Sequence, residues 1–432
     1  MKRRSFIKKV GATGAAAFVA PYILPSGRLF AATGSQMAEH VVYVLFGGGV
    51  RQQESVQQRY LAGSQGVNIE GNIMPNLFTG EAPDSKIVYG GSSTFLPGDT
   101  PLPPVVNTPL DQIGALFPEV QASSTGHYNG FVGMLQGNTL SNQGLKVRPA
   151  SPTIFEYVRK FGGYKGTDVW FIGDSIMNSI PLLNHSEHPD FGAPYGANFF
   201  APTVTFGDQG YNAFADQKIY HPYEQMDPVY YMQNFLDNQF YNVGPAISHL
   251  ENDPDEKRRI KDFMKGIYDN QDTPGVLDCT IRILQDFKPA LTTMNFFSAV
   301  DQSHGDFTGG LRALHAADNT IGRLWNAIQS IDGMRDNTIM IISPEHGRNL
   351  EPNPIKDAND WGGFDHSDQN SRRVWTMMMG PGIPNGVYGS EANPKGHTED
   401  NVPTIAEILG VKDDVMNAGH LAPYTKSLFD RI

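Results

Sequence analysis

The chain has 432 residues, a hydrophobic fraction of 40%, 46 glycines and 30 prolines. These values are typical of a large globular α/β protein with long irregular connections, and they exclude a fibrous or disordered chain. The formal net charge of −12 excludes nucleic acid and anionic membrane surfaces as favoured partners, because a polyanion binder needs a basic patch. A single cysteine, Cys279, excludes an intrachain disulfide.

Residues 1–34 have the anatomy of an export signal. A basic head at residues 2–9 contains paired arginines, a mildly apolar stretch follows, and small residues at 31–34 precede the expected cleavage point. This segment resembles a twin-arginine signal peptide, so we expect a periplasmic or extracellular mature chain with a charge of −18. The alternative, a retained membrane anchor, is disfavoured because the apolar stretch is shorter than the roughly 20 residues that span a bilayer. No later segment predicts a membrane span.

The mature sequence then alternates predicted strands and helices. Residues 40–46 form a continuous apolar run that ends in three glycines, which is typical of a central parallel strand followed by a tight turn. Residues 151–163 predict a capped helix, and residues 168–173 predict the strand after it. Helix followed by apolar strand favours a doubly wound sheet. Residues 184–272 lack this periodicity and predict an irregular insertion over the sheet.

Regular patterns return after the insertion. Helices are predicted at 276–287, 310–331 and 403–410, and strands at 290–297, 338–342 and 373–379. Acidic and imidazole side chains lie at or just beyond strand ends, namely Asp301, His304, Glu345, His346 and His366. The carboxyl ends of parallel strands meet at one edge of a sheet, where α/β enzymes hold metals and anions. The sequence therefore predicts a metal-dependent hydrolase scaffold.

The order of these motifs resembles the alkaline phosphatase superfamily, particularly its phosphodiesterase and sulfatase-like branches. The matching segments are Met-Pro-Asn-Leu at 74–77, Ser123 four residues before His127, Asp301 with His304, Glu345-His346-Gly347, His366, Gly-Pro-Gly at 380–382, and the helix at 403–410. The resemblance covers nearly all of the mature chain. It implies an alkaline-phosphatase-like three-layer α/β/α sandwich over residues 35–432, with a mostly parallel central sheet and the insertion at 184–272.

The same resemblance implies hydrolysis of a phosphate or sulfate ester of a small molecule. Two divalent ions would clamp the ester, and the hydroxyl of Ser123 would be the nucleophile. The implied ligands are Asp301, His304 and His366 for one ion, and Glu345, His346 and the nucleophile for the other. Zinc suits this nitrogen and oxygen set best, with manganese or calcium as alternatives.

Two further side chains near these motifs have alternative interpretations. Arg348 either binds the substrate anion through a bidentate fork or pairs with a carboxylate of the protein. His127 is interpreted as a structural residue or one that supports the ligands.

Three departures from the family pattern weaken the implied site. Gly47 or Gly48 stands where the family has its first metal-binding aspartate, and Glu345 replaces a second aspartate. The spacing from Asp301 to His304 is one residue short, with Asp306 as a possible substitute. Two alternatives therefore stay open: a pseudoenzyme that acts as a binding or structural surface protein, and an enzyme with one metal ion. The formylglycine type of sulfatase is excluded because Cys279 lacks the required surroundings.

Overall fold

The computed structural model describes residues 35–60, 69–83, 101–140, 148–173, 177–200, 275–296 and 300–432, together with residue 259. All of these belong to one compact unit, Thr33–Ile432. The predicted signal at 1–34 and most of the predicted insertion at 184–272 lie outside the described residues. No helix in the described ranges is both long and apolar enough to cross a membrane.

The described strands form one large sheet and one small one. In chain order they are β1 (His40–Phe46), β2 (Arg59–Tyr60), β3 (Ile69–Glu70), β4 (Gly114–Gln121), β5 (Val169–Gly173), β6 (Asn198–Phe200), β7 (Leu291–Phe296), β8 (Thr338–Pro344), β9 (Arg373–Met379) and β10 (Gly386–Val387). The large sheet has the order β10-β4-β9-β8-β1-β7-β5-β6, and β2 pairs with β3 separately. Its pairings are parallel except for those of β9 with β8 and β4. The predicted mostly parallel central sheet is confirmed.

Helices cover both faces of this sheet. They are α1 (His127–Gln136), α2 (Ile154–Gly162), α3 (Val276–Phe287), α4 (Phe307–Ser330), α5 (Asn401–Ile408) and α6 (Lys412–Asn417). On β1, Val42 and Val44 face the core shared with α3 and α4, while the intervening Tyr43 lies beside Asn401 of α5. Alternate side chains of a strand point to opposite faces, and α5 in turn packs on α1 and α2. The predicted three-layer α/β/α architecture is confirmed.

The register of β1 positions the candidate site. Every residue of β1 is buried, as its continuous apolar run predicts for a central strand. Phe46, its last residue, is level with Phe296 at the end of β7 and with Pro344 at the end of β8. The loops that follow these three strands therefore leave the sheet side by side, and they carry the glycine turn, Asp301 and Glu345.

The Met-Pro-Asn-Leu segment at 74–77 has a structural role in the fold. The buried carboxylate of Asp318 on α4 accepts hydrogen bonds from the backbone N–H groups of Asn76 and Leu77 and from Asn76 Nδ2. Asn76 Oδ1 in turn accepts from the backbone N–H groups of Val105 and Val106. The segment thus anchors two loops to the long helix, since buried polar groups need such partners.

Strand β4 was not predicted as a strand. It contains Pro118, which has no amide hydrogen for the ladder, and its register with β9 shifts between Phe117 and Val120. Proline in a strand is tolerated at such irregularities. β4 leads through residues 122–126 into α1, so it delivers His127 to the same edge of the sheet.

Candidate metal centre

The turn that follows β8 is bonded to the glycine turn that follows β1. The backbone N–H of Glu345 donates to Phe46 O at 3.0 Å, and that of Val50 donates to His346 O at 2.9 Å. Gly48 N–H donates to Glu345 Oε1 at 2.7 Å. The extra methylene of Glu345, compared with aspartate, lets its carboxylate reach across to the end of the neighbouring strand.

Four imidazole rings gather at this edge. The ring centroids of His127, His346 and His366 lie 4.5–4.7 Å apart in each pair, and that of His304 lies 4.9 Å from His366. The carboxylates of Asp301 and Glu345 flank them. The structure thus brings together all five predicted metal ligands, Asp301, His304, Glu345, His346 and His366.

Two of these histidines have fixed tautomers. His346 Nδ1 donates to Gly347 O at 2.6 Å, and His366 Nδ1 donates to Thr125 O. A carbonyl oxygen only accepts hydrogen bonds, so Nδ1 carries the proton in both rings and Nε2 keeps its lone pair. This arrangement is typical of histidine ligands, whose second nitrogen is held by an outer acceptor.

The third predicted histidine, His304, is held by a carboxylate. Its Nδ1 lies 2.9 Å from Asp365 Oδ1, and its Nε2 lies 3.4 Å from Asp301 Oδ1. Asp301 and His304 share the 3-10 helix Val300–His304. Because side chains three residues apart eclipse in a 3-10 helix, this tight turn compensates for the short spacing. Asp306 caps α4, accepting from Gly309 N–H at 2.8 Å.

His127 lies at the centre of the cluster, so its interpretation as a supporting residue is incomplete. Its Nδ1 is 2.7 Å from Glu345 Oε1 and 2.9 Å from His346 Nε2, and its Nε2 is 3.1 Å from Asp301 Oδ1. The sequence feature that could have identified His127 as a site residue is its position directly after Gly126, at the start of a helix that follows a strand.

Mutual electrostatics shift the pKa values of His127, His346 and His366 in different directions. Burial lowers the pKa of His127, but the carboxylates of Glu345 and Asp301 outweigh burial and raise it to about 9. Burial raises the pKa of Asp301, but His127 and other cations outweigh it and lower that pKa to about 2. Burial and the charge on His127 lower the pKa of His366 to about 4, and the same two causes lower the pKa of His346. Neutral imidazoles are the form that binds metals.

The donor set fits a divalent metal ion. Two groups of three side chains place their ligand atoms within 4.8 Å of one another: His127 with His346 and His366, and His127 with Asp301 and His304. Glu345 Oε2 is buried and has no hydrogen-bond partner among the residues that the structure describes. A buried carboxylate oxygen without a donor is costly, and a cation would satisfy it. His366 therefore lies in one group with His127 and His346. Its ring centroid is also 4.9 Å from that of His304, a member of the predicted set.

Arg348 is directed into the protein. The side chain is 2% exposed, and its guanidinium donates to Gly48 O, to Gly49 O at 3.2 Å and to Phe364 O at 2.6 Å. It also pairs with Asp301 Oδ1 at 3.1 Å. These contacts hold the glycine turn against the Asp301 helix, in line with a structural pairing. Direct contact with a substrate stays a prediction.

Ser123, the predicted nucleophile, lies in the loop before α1. Its Oγ is 3.2 Å from the hydroxyl of Tyr424, which donates to Glu399 Oε1 at 3.3 Å. The same loop reaches the cluster through the carbonyl of Thr125, which bonds His366. The role of Ser123 as nucleophile stays a prediction.

Gly49 provides a test of how tightly the cluster is packed. It has a φ of +79°, and an added Cβ would lie 2.8 Å from His346 Cε1 and 3.0 Å from Gly347 O. We expect Gly49→Ala to lower both the free energy of unfolding and the metal affinity. The matched control is Gly163→Ala at a φ of +66° with nothing within 4 Å, which should cost only the roughly 1–2 kcal/mol of a left-handed alanine. Chemical denaturation and metal titration measure both, and equal losses in the two variants would contradict the expectation.

Comparisons with known proteins give similar folds at low identity. The sequence matches no family model and no curated protein. A protein in the alkaline phosphatase superfamily from Vibrio parahaemolyticus is 13% identical, with a TM-score of 0.42, over 95% of this chain and 76% of that one. Alkaline phosphatase from the Antarctic bacterium TAB5 is 14% identical, with a TM-score of 0.43, over 88% of this chain and 99% of that one.

A 2-O GAG sulfatase is 10% identical, with a TM-score of 0.44, over 86% of this chain and 71% of that one.

Proposed function

We propose that this protein is an exported, metal-dependent hydrolase of phosphate or sulfate esters, of the sulfatase and phosphodiesterase kind. The observation that carries the proposal is the convergence of Asp301, His304, Glu345, His346 and His366 at one edge of the sheet. The three histidines among them each have Nδ1 held by an acceptor, so Nε2 remains for a ligand bond.

We assign the residues of the cluster to the two sets that the family resemblance implies. Asp301, His304 and His366 would hold one divalent ion, and Glu345 with His346 would hold a second. Bound there, such ions act as Lewis acids that stabilise negative charge on the ester group and favour ionisation of a nearby hydroxyl. Zinc fits this mixture of imidazole and carboxylate best.

Ser123 is the proposed nucleophile. Its Oγ would form a bond to phosphorus or sulfur as the bond to the departing alcohol breaks, and water would then cleave the resulting serine ester. The loop position between β4 and α1 supports this role, because its Thr125 carbonyl bonds His366 of the cluster. The hydroxyl of Tyr424 orients Ser123 Oγ.

Export rests on the sequence of residues 1–34. The paired Arg3 and Arg4, the modest apolar core and the small-residue end support the twin-arginine route, which would place the mature chain in the periplasm or outside the cell. Replacing both arginines by lysine should leave the protein in the cytoplasmic fraction. Normal export of that variant would contradict the route.

Turnover of a chromogenic ester panel tests the function. The panel contains p-nitrophenyl phosphate, bis-p-nitrophenyl phosphate and p-nitrophenyl sulfate, each with chelated protein and with protein reloaded with zinc, manganese or calcium. We expect turnover of at least one ester by the reloaded protein and its loss in His366→Ala and Ser123→Ala. Ser330→Ala makes the same change as Ser123→Ala at an exposed serine far from the cluster in sequence and should keep activity. Absence of bound metal, or turnover that survives both substitutions, would refute the proposal.

A further inference from the structure

Besides the nucleophile Ser123, the set around Glu345 contains only two side chains, Glu345 and His346, and Ser123 Oγ lies 3.2 Å from the hydroxyl of Tyr424 rather than against either of them. The neighbouring strand, β1, ends in Gly47, Gly48 and Gly49 and contributes the N–H of Gly48 to Glu345 Oε1. An N–H group cannot bind a cation. Protein zinc sites have at least three protein ligands, so an ion held by Glu345 and His346 needs a donor from another element.

His127 supplies the missing donor atom. The three atoms His127 Nδ1, Glu345 Oε1 and His346 Nε2 form a triangle with sides of 2.7, 2.9 and 3.5 Å. The side chain of His127 is 11% exposed, and those of Glu345 and His346 are fully buried. Three convergent donor atoms at one buried point are the arrangement that a small cation requires.

The second carboxylate oxygen of Glu345 is an independent sign of a cation. Oε2 is buried and without a hydrogen-bond partner in the described part of the chain. Gly130 of α1 packs directly against this side chain, since a Cβ added at Gly130 would lie 3.1 Å from Glu345 Cβ. Helix α1 therefore brings both close packing and an imidazole to Glu345.

We propose that His127 is a metal ligand, which with Glu345 and His346 forms a site of two imidazoles and one carboxylate. The inference rests on the proposed function, because it completes one of the two metal sets used there. Two nitrogen donors and one oxygen donor select zinc and similar transition metals, whereas magnesium and calcium prefer oxygen donors throughout. With glycine after β1 in place of the aspartate of the family pattern, the third ligand comes from His127 at the start of α1. Exchange of a carboxylate for an imidazole shifts the metal preference toward zinc.

Cobalt(II) titration of the full-length chelated protein tests this assignment without any substrate. The visible d–d bands report the donors around the ion, and elemental analysis gives the number of ions bound. We expect His127→Asn and His127→Ala to change the cobalt spectrum and to weaken binding of cobalt and zinc by at least tenfold. His188→Ala, a half-buried histidine outside the cluster, is the matched control and should leave the spectrum unchanged. His127→Asp should shift the preference toward manganese.

An unchanged cobalt spectrum with unchanged affinity in folded His127→Asn would overturn the assignment. Circular dichroism establishes folding, and if neither variant folds, a zinc-loaded crystal of the unaltered protein decides by the contact at His127 Nδ1. The two proposals fail separately. Cobalt binding that depends on His127 without ester turnover refutes only the hydrolase, and turnover with a normal His127→Asn spectrum refutes only the ligand.

Discussion

Glu345→Gln is expected to lower kcat/KM for ester hydrolysis by more than about 100-fold and to reduce the bound metal. The wild-type carboxylate is fully buried, accepts from Gly48 N–H and faces His127. Glutamine has nearly the same shape but no negative charge, so it cannot replace an anionic ligand. Loss of a mere outer partner of a metal ligand typically costs about 10- to 100-fold, and loss of a ligand should cost more. Elemental analysis and steady-state kinetics on the same preparations measure both quantities.

Two variants control this prediction. Glu351→Gln makes the same change at an exposed position and should leave metal content and turnover unaltered. Glu345→Asp keeps the charge but shortens the arm, so the bond from Gly48 N–H should be lost and metal affinity should fall less than in Glu345→Gln. Normal metal content and normal turnover in Glu345→Gln would exclude Glu345 as a ligand.

The convergence of the candidate ligands at one edge of the sheet was predictable from sequence, because it follows from the pattern of the buried strands. The runs at 40–46 and 338–342 consist mainly of apolar and β-branched residues, which favours central positions in a parallel sheet and so places Glu345 near the glycine turn. The three-residue spacing of Asp301 and His304 is one residue short of the family pattern, and it brings both side chains to the cluster only if the local turn compensates. The structure has a 3-10 helix at Val300–His304. Side chains three residues apart lie on the same side of such a helix, so both residues reach the cluster.

The partners of the site residues were less predictable from sequence. Asp365 precedes His366, yet it bonds His304, because the chain after it turns His366 toward the carbonyl of Thr125. His127 lies at the centre of the cluster because α1 begins at the edge of the sheet, directly after β4. β4 is difficult to predict from sequence because Pro118 lies within it. Contacts of this kind are made across the fold, and local sequence patterns do not contain them.

Arg348→Met is expected to lower the free energy of unfolding by about 3–5 kcal/mol, the range for removing one partner of a buried ion pair. Methionine has a similar length but no donors, so the carbonyls of Gly48, Gly49 and Phe364 would lose their bonds while still buried. Asp301 would lose a cation at 3.1 Å. Chemical denaturation of the metal-free protein measures the loss, and Arg335→Met at an exposed site should change stability little.

Arg348→Lys then separates the two roles considered for Arg348. Lysine keeps the charge but cannot form the fork of bonds that guanidinium makes to several carbonyls. If Arg348 positions the glycine turn and Asp301, both variants lose stability and metal affinity, and KM for the ester changes little in fully metal-loaded enzyme. If Arg348 instead binds the substrate anion, stability and metal content stay normal, KM rises in Arg348→Met, and lysine restores much of it. The 2% exposure of the side chain favours the first outcome, because a substrate anion could reach the guanidinium only by displacing the carbonyls that now surround it.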